Sequence, residues 1–234
     1  MRERLIDAGV ELVLTEGSAS LGLREIARRA GVSHGAPRRY FPTHHALLSA
    51  IAGRGFEDLA ARVGAAMAGA TSPRDRLHAI ARVYVGYALE HRGMFELMFR
   101  HDLLDSDRHA SGERRLREST VPLFARMVAL VAECRAEQDA GQRSAGQPAG
   151  SQAPPPPAVT AAALWANLHG TAQLWAWGSL QLALGDREPH GAVRHGVLQH
   201  GVLQGDPDLL DRIIAAALDA HVGPAPAYRG DAAR

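Results

Sequence analysis

Apolar residues recur at the three- and four-residue spacing of a helix along almost all of this 234-residue chain. Leu5, Ala8, Leu12 and Val13 share one face of a segment, 3–16, that Gly17 is placed to stop. Over 23–30, Leu23, Ile26, Ala27 and Ala30 turn inward while Arg24, Glu25, Arg28 and Arg29 turn outward. No stretch alternates apolar and polar residues as a half-buried strand would. The chain therefore reads as all-α. Its length allows one large domain or two small ones. Apolar residues at 46% and charged residues at 22% are globular values. They exclude collagenous, fully disordered and disulfide-scaffold chains. The single cysteine, Cys134, reads as a small buried hydrophobe with no partner for an intramolecular disulfide, which fits a cytoplasmic setting. No apolar run approaches the roughly 18 residues of a membrane span, so no membrane role is expected. The start, Met1 to Asp7, carries acids and does not read as a signal peptide.

The remaining segments follow the same logic. A short helix is predicted over 34–40 and is broken by Phe41-Pro42. Thr43 is a good cap for a long helix over 44–68. Ser72-Pro73 opens another, to about His91, with Pro at its first position. Met94 to Phe99 is densely apolar, and 101–112 is a polar loop. A helix over 113–138 contains Pro122, which is placed to bend it. Residues 140–158, ending in Pro154 to Pro157, read as a disordered linker. Helix resumes over 159–184, apolar nearly all round. A tandem His-Gly-Val-Leu-Gln repeat covers 195–204, and Asp206-Pro207 starts a last helix to Ala220. The expected domains are 1–60 and 61–222, with a tail over 223–234.

Segment 22–41 carries the functional signal. A short helix, a turn with Gly31 suited to positive φ, and a second short helix form the spacing of a helix-turn-helix, whose second helix enters a DNA major groove. Ser33 is placed to cap that second helix. Exposed on it would be His34, Gly35, Arg38, Arg39 and Tyr40. Arginine reads guanine bidentately or grips phosphate, and tyrosine donates to phosphate. The net charge of +1 does not announce this role. Residues 1–55, however, hold eight Arg against five acids, plus three His. All 26 basic residues are Arg, which reflects base composition rather than phosphate binding.

Leu23-Arg24-Glu25-Ile26-Ala27-Arg28-Arg29-Ala30-Gly31-Val32-Ser33, Tyr40-Phe41-Pro42-Thr43 and Ala46-Leu47-Leu48 resemble the DNA-binding domain of TetR/AcrR-type transcriptional regulators over about residues 3–60. Leu164-Trp165-Ala166-Asn167-Leu168-His169-Gly170 is similar to the Trp…His-Gly signature of one C-terminal ligand-binding subgroup of that family. The resemblance implies an all-helical homodimer without catalysis or cofactor. It binds a palindromic operator in double-stranded DNA and leaves it when a small-molecule effector binds among the C-terminal helices. The DNA-facing set is then Arg24, Ser33, His34, Gly35, Arg38, Arg39, Tyr40, Thr43 and His44. Three departures stand out. Gly22 replaces the usual Ser or Thr cap. Pro37-Arg38 replaces the common Leu-Tyr, and Pro37 should push Ala36 out of helical geometry and delay the helix. His44-His45 replaces a lysine, which predicts tighter DNA binding at pH 6 than at pH 8.

Tyr84, Tyr87, Met94, Met98, Phe99, Phe124, Met127, Trp165 and His169 are the pocket candidates. The same spacing also serves plain core. A low count of buried charges points to a largely apolar effector. Gly170, in mid-helix, loses about 1 kcal/mol of propensity and calls for close approach of another helix, in the monomer or across a dimer. Leu168, Ala172, Trp175, Leu209, Ile213 and Ala217 are the dimer candidates, on helices that would form a four-helix interface with their symmetry mates. The clusters His44-His45 and His190, His195 and His200 lack metal-ligand spacing, so no metal is expected. The competing reading is a helical small-molecule-binding protein or enzyme without DNA binding. No Ser-His-Asp order, phosphate loop or carboxylate pair supports an enzyme.

Overall fold

The computed structural model describes residues 1–100, 104, 116–144, 154–185 and 207–224. Among the described residues the regular structure is helical. The helices are α1 (Arg2–Glu16), α2 (Leu23–Arg29), α3 (Pro37–Tyr40), α4 (His44–Met67), α5 (Pro73–Glu90), α6 (Arg92–Phe99), α7 (Leu116–Ser144), α8 (Pro157–Ala176), α9 (Ser179–Ala183) and α10 (Pro207–Val222). The tandem repeat, the polar loop (Leu104 apart) and most of the tail lie outside the described residues.

Local chemistry sets the ends. Gly17, at φ 86°, stops α1, and its N–H donates to the Val13 carbonyl at 3.2 Å. Thr43 caps α4: its Oγ1 accepts from the Ala46 N–H at 3.0 Å. Ser72 and Asp75 cap α5 reciprocally, Asp75 N–H to Ser72 Oγ at 3.0 Å and Ser72 N–H to Asp75 Oδ2 at 3.3 Å. The hydrogen bonds from Ser72 hold the Asp75 carboxyl below its ordinary range.

Three expectations need correction. Helix α3 begins at Pro37 rather than 34, yet Ala36 keeps helical angles of φ −61° and ψ −42°. Burial of Pro37 at the first helical position, where no N–H is needed, overrides the usual pre-proline preference. Helix α7 runs to Ser144, past the expected end at 138, through helix formers such as Ala140, Gln142 and Arg143. The part of the expected linker that is described is thus partly helical at both ends; 145–153 lie outside the described residues. The expected single helix over 159–184 breaks at Gly178, whose left-handed φ of 76° ends α8 and restarts the chain as α9.

The chain divides into two compact units. The first takes in Met1–Ala65 and Gly86–Ala125, the second Ala66–Val85 and Arg126–Arg234. In the first, α6 packs on α1, and α1 on α2 and α3. Leu5, Leu12, Ile26, Leu47, Ile51 and Leu97 are fully buried there. Each such side chain contributes about 1.5–3 kcal/mol by leaving water. Two glycines allow the close approach. A Cβ on Gly55 would lie 2.7 Å from Met98 Sδ, and one on Gly93 would lie 2.6 Å from the Val13 carbonyl oxygen. Ser18 Oγ adds a hydrogen bond to Glu96 at 2.9 Å. In the second unit, α8 packs on α9 and α10. Arg74 donates to the Gly223 carbonyl and pairs with Asp219, closing the end of α10. Cys134 is buried, and burial pushes its thiol up to about 11, which leaves it unreactive.

Candidate nucleic-acid interface and a buried aromatic cluster

Helix α2 ends in a fully bonded turn. The Gly31 N–H donates to the Arg28 carbonyl at 3.1 Å and the Val32 N–H to the Ala27 carbonyl at 3.0 Å. Gly31 is left-handed, at φ 65°. This is the Schellman arrangement, and glycine adopts it without a Cβ penalty. The Ala36 N–H then donates to the Ser33 carbonyl at 2.9 Å. Ala36, not Ser33, caps α3, and no side chain takes part. Helix α3 is one turn long, pinned by the buried Pro37 at its start and followed by the buried Phe41.

The arginines of this region fall into two groups. Arg28 pairs with Glu25, and Arg29 bridges Glu11 and Glu16. Arg2 lies over the Phe41 ring at 5.1 Å, and Arg4 donates to the Ala30 carbonyl at 2.8 Å. Arg24, Arg38 and Arg39 are exposed and carry no ion-pair partner among the described residues. Tyr40, His34, Ser33 and Gly35 are exposed beside them. These three cations, exposed and without an ion-pair partner among the described residues, lie on and beside the second helix of a helix-turn-helix, with the charge and access that contact with phosphate or a base edge requires.

Two members of the expected DNA-facing set are engaged in the fold. The Thr43 hydroxyl caps α4. His44 Nε2 donates to the Leu21 carbonyl at 2.6 Å, tying the start of α4 to the loop before α2. His45 is half-buried beside it.

The pocket candidates fall in both units. Tyr87, Met94, Met98, Phe99 and Phe124 belong to the first. There Met94 and Met98 cover Gly55, and the Phe99 ring meets Phe56 edge-on at 5.7 Å. Tyr87 packs on His91 at 4.8 Å and under Arg62 at 5.4 Å. Burial pushes its phenol up to about 12. Arg62 also bonds Asp58 and Glu90 and approaches His91 Nε2 at 2.8 Å, where the imidazole accepts.

Tyr84, Met127, Trp165 and His169 belong to the second unit, and three of them form one hydrogen-bonded chain. Trp165 Nε1–H donates to Tyr84 Oη at 2.9 Å, and Tyr84 O–H donates to His169 Nδ1 at 2.8 Å. Trp165 and His169 are one helical turn apart on α8, so both reach Tyr84 on α5. Burial pushes the Tyr84 phenol well above its ordinary range, so it stays protonated and able to donate. Burial also lowers the pKa of His169 and favours the neutral ring that accepts at Nδ1. The unfolded chain therefore takes up a proton here more readily than the folded one. The stability from this site is full above the ordinary imidazole value of about 6.5 and declines as pH falls below it. Thermal unfolding of the protein and of His169→Gln from pH 7.5 to 5 tests this. The natural chain should lose more Tm on acidification, and equal losses would count against it.

The dimer candidates also divide. Leu168, Ala172, Trp175 and Ala217 are buried within the single chain. They are core residues of the single chain: Leu168, Ala172 and Trp175 lie on the face of α8 that turns onto its own unit, and Ala217 lies on the inward face of α10. Leu209 and Ile213 stay half-exposed. Gly170 has nothing within 4 Å of where a Cβ would stand among the described residues, so none of them accounts for it.

A helix-turn-helix with exposed arginines, in a chain whose described regular structure is helical, is the architecture of DNA-binding regulators of transcription. Known families make the class specific. The model described as "Bacterial regulatory proteins, tetR family" matches residues 5–51, and "Tetracyclin repressor-like, C-terminal domain" matches residues 77–199. The second match alone spans more than half of the chain, and the chain belongs to the TetR family of transcriptional regulators. A curated relative, the HTH-type transcriptional regulator BetI of Rhizobium meliloti (strain 1021), is 35% identical over 82 residues, which are 35% of this chain and 40% of that protein. A solved protein of unknown function from Rhodococcus sp. RHA1 superposes with a TM-score of 0.63 at 27% identity, covering 94% of this chain and 93% of its own. A TetR-like transcriptional regulator from Rhodococcus sp. RHA1 shares the fold, with a TM-score of 0.54 at 18% identity over 95% of this chain and 96% of its own.

Proposed function

We propose that the protein is a homodimeric repressor that leaves a palindromic operator when a small, largely apolar effector binds its second unit. The observation that carries the reading is that Arg24, Arg38 and Arg39 are exposed and have no ion-pair partner among the described residues, while the neighbouring arginines are engaged. The effector reading rests on Tyr84, Trp165 and His169, which combine aromatic surface with a fixed polar chain and no charged group. Trp165, His169 and Gly170 also carry the likeness to the Trp-His-Gly subgroup. Two-fold symmetry would place the recognition helices about 34 Å apart, one turn of DNA. Release follows from population shift. The effector binds a dimer with wrongly spaced reading heads better than the DNA-competent one.

What supports the dimer is one face of α8 and its C-cap. Val159, Ala162, Ala166, Gly170 and Leu174, followed by the C-cap Trp177, recur at three- and four-residue spacing, and none is charged. Trp177 is 62% exposed and Val159 55%. A second copy packing α8 and α10 against the same helices would cover this face and give Gly170 its close neighbour. Ala166→Arg places a charge in that seam but on an open surface of the single chain. It should yield a folded monomer by sedimentation, and an intact dimer would reject this seam.

Selection of binding sites from random duplex DNA, followed by a salt titration, tests the operator. A palindromic winner with a steep salt dependence is expected. No enrichment from protein refolded free of bound ligand would reject the reading. Adding apolar compounds to the complex with the winning duplex then tests release.

A further inference from the structure

We propose that Arg4 is a positioning residue for DNA recognition, acting through the α2–α3 turn rather than on DNA. The inference rests on α3 being the recognition helix. Arg4 lies on α1, and its Nη2 donates to the Ala30 carbonyl at 2.8 Å across 26 residues of sequence. Ala30 is the C-cap of α2, just before the left-handed Gly31. Its carbonyl belongs to the negative end of that helix, where a guanidinium is favoured. Three carbonyls before it are taken by the backbone of the turn: Ile26 takes the Ala30 N–H, Ala27 takes Val32 and Arg28 takes Gly31. No backbone N–H among the described residues donates to the Ala30 carbonyl, and Arg4 supplies a donor from outside.

The guanidinium also covers the turn. A Cβ on Gly31 would lie 3.6 Å from Arg4 Nη2, so the arginine lies over the residue at which the chain changes direction. The consequence falls on α3. One helical turn cannot fix its own direction, since nucleation is costly and so short a helix gains little from its own hydrogen bonds. Its aim is set by its anchors: buried Pro37 at its start and the bonded turn before it. Arg4 locks that turn against α1. Without the lock, Arg38, Arg39 and Tyr40 keep their charge and exposure but lose their fixed orientation. Base contacts need geometry, whereas phosphate attraction needs only charge.

The test compares two probes on the full-length protein: the best duplex selected by the natural protein, and a random-sequence duplex of equal length. Arg4→Met should bind the selected duplex about tenfold more weakly, the worth of one charge-assisted hydrogen bond. It should bind the random duplex as before, with an unchanged slope of log K against log salt. Arg4→Lys keeps a donor and should recover part of the loss. Gly31→Ala strains the same turn from the other side and should repeat the selective loss. If Arg4→Met fails to fold, these two variants carry the test. Equal losses on both duplexes, with the slope shallower by about 0.9, would make Arg4 a phosphate contact and overturn the proposal. Unchanged affinity with only a lower Tm would also overturn it, leaving a purely structural role. Arg38→Ala in the same assay separates the two readings. If it too has no effect on the selected duplex, the failure lies with α3 as the recognition helix.

Discussion

Alanine at both Arg38 and Arg39 should lower affinity for the selected operator by about a hundredfold or more while leaving the Tm nearly unchanged. Both side chains are exposed and neither has an ion-pair partner among the described residues, so their removal breaks nothing in the fold. Each arginine on a base edge or phosphate is worth roughly 1–3 kcal/mol, and 1.4 kcal/mol is about tenfold. The salt titration divides the two roles. Where an arginine neutralises a phosphate, the slope falls by about 0.9; where it reads guanine, discrimination at one base pair collapses. Arg28 and Arg29 provide the contrast. They already pair with Glu25, Glu11 and Glu16, and alanine there should affect stability more than binding. An operator affinity that survives the double substitution would remove α3 from the interface.

Alanine at Gly93 should be the most destabilising single methyl in the first unit, by about 3 kcal/mol. The added Cβ would lie 2.6 Å from the Val13 carbonyl oxygen and 2.8 Å from Gly17 Cα. Both are backbone atoms, and Gly17 itself holds a left-handed angle, so neither yields as a side-chain tip would. Overpacking of this kind costs about 1–3 kcal/mol or more, and the lost contact between α6 and α1 adds to it. For a chain of this size the shift in Tm is roughly 10 °C. Gly64→Ala, within α4, is the control. It is exposed, has open space among the described residues and should gain helix propensity. A Tm for Gly93→Ala within a degree or two of the natural protein would show that α6 moves aside freely.

The sequence exposed whatever depends on neighbours along the chain. Thr43 and Gly17 mark helix ends by their own chemistry, and both do so in the structure. Trp165 and His169 stand one turn apart, so their shared face was legible too. Tyr84, 85 residues from His169, was legible only as an aromatic at helical spacing, not as their hydrogen-bond partner. Arg4 gave no signal, because nothing local marks an arginine that serves a distant carbonyl. The inward set on α8 was read as a seam with another chain for a physical reason. A helix apolar nearly all round carries no continuous polar stripe to say which face meets its own core and which is left for another chain. Gly178 hid in the same run, since one glycine among apolar residues does not declare its φ.

The docking of α6 has a practical consequence. The unit that carries the helix-turn-helix includes residues 86–125 as well as 1–65. A fragment cut after residue 65 would keep every arginine of the proposed DNA-facing surface. It would also uncover the floor where Met94, Phe95, Leu97 and Met98 are buried. Such a fragment should self-associate, and its weak binding would be a fault of the cut rather than of the recognition surface. A DNA-reading piece that stands alone needs α6 joined back, by a linker long enough to replace the intervening segment.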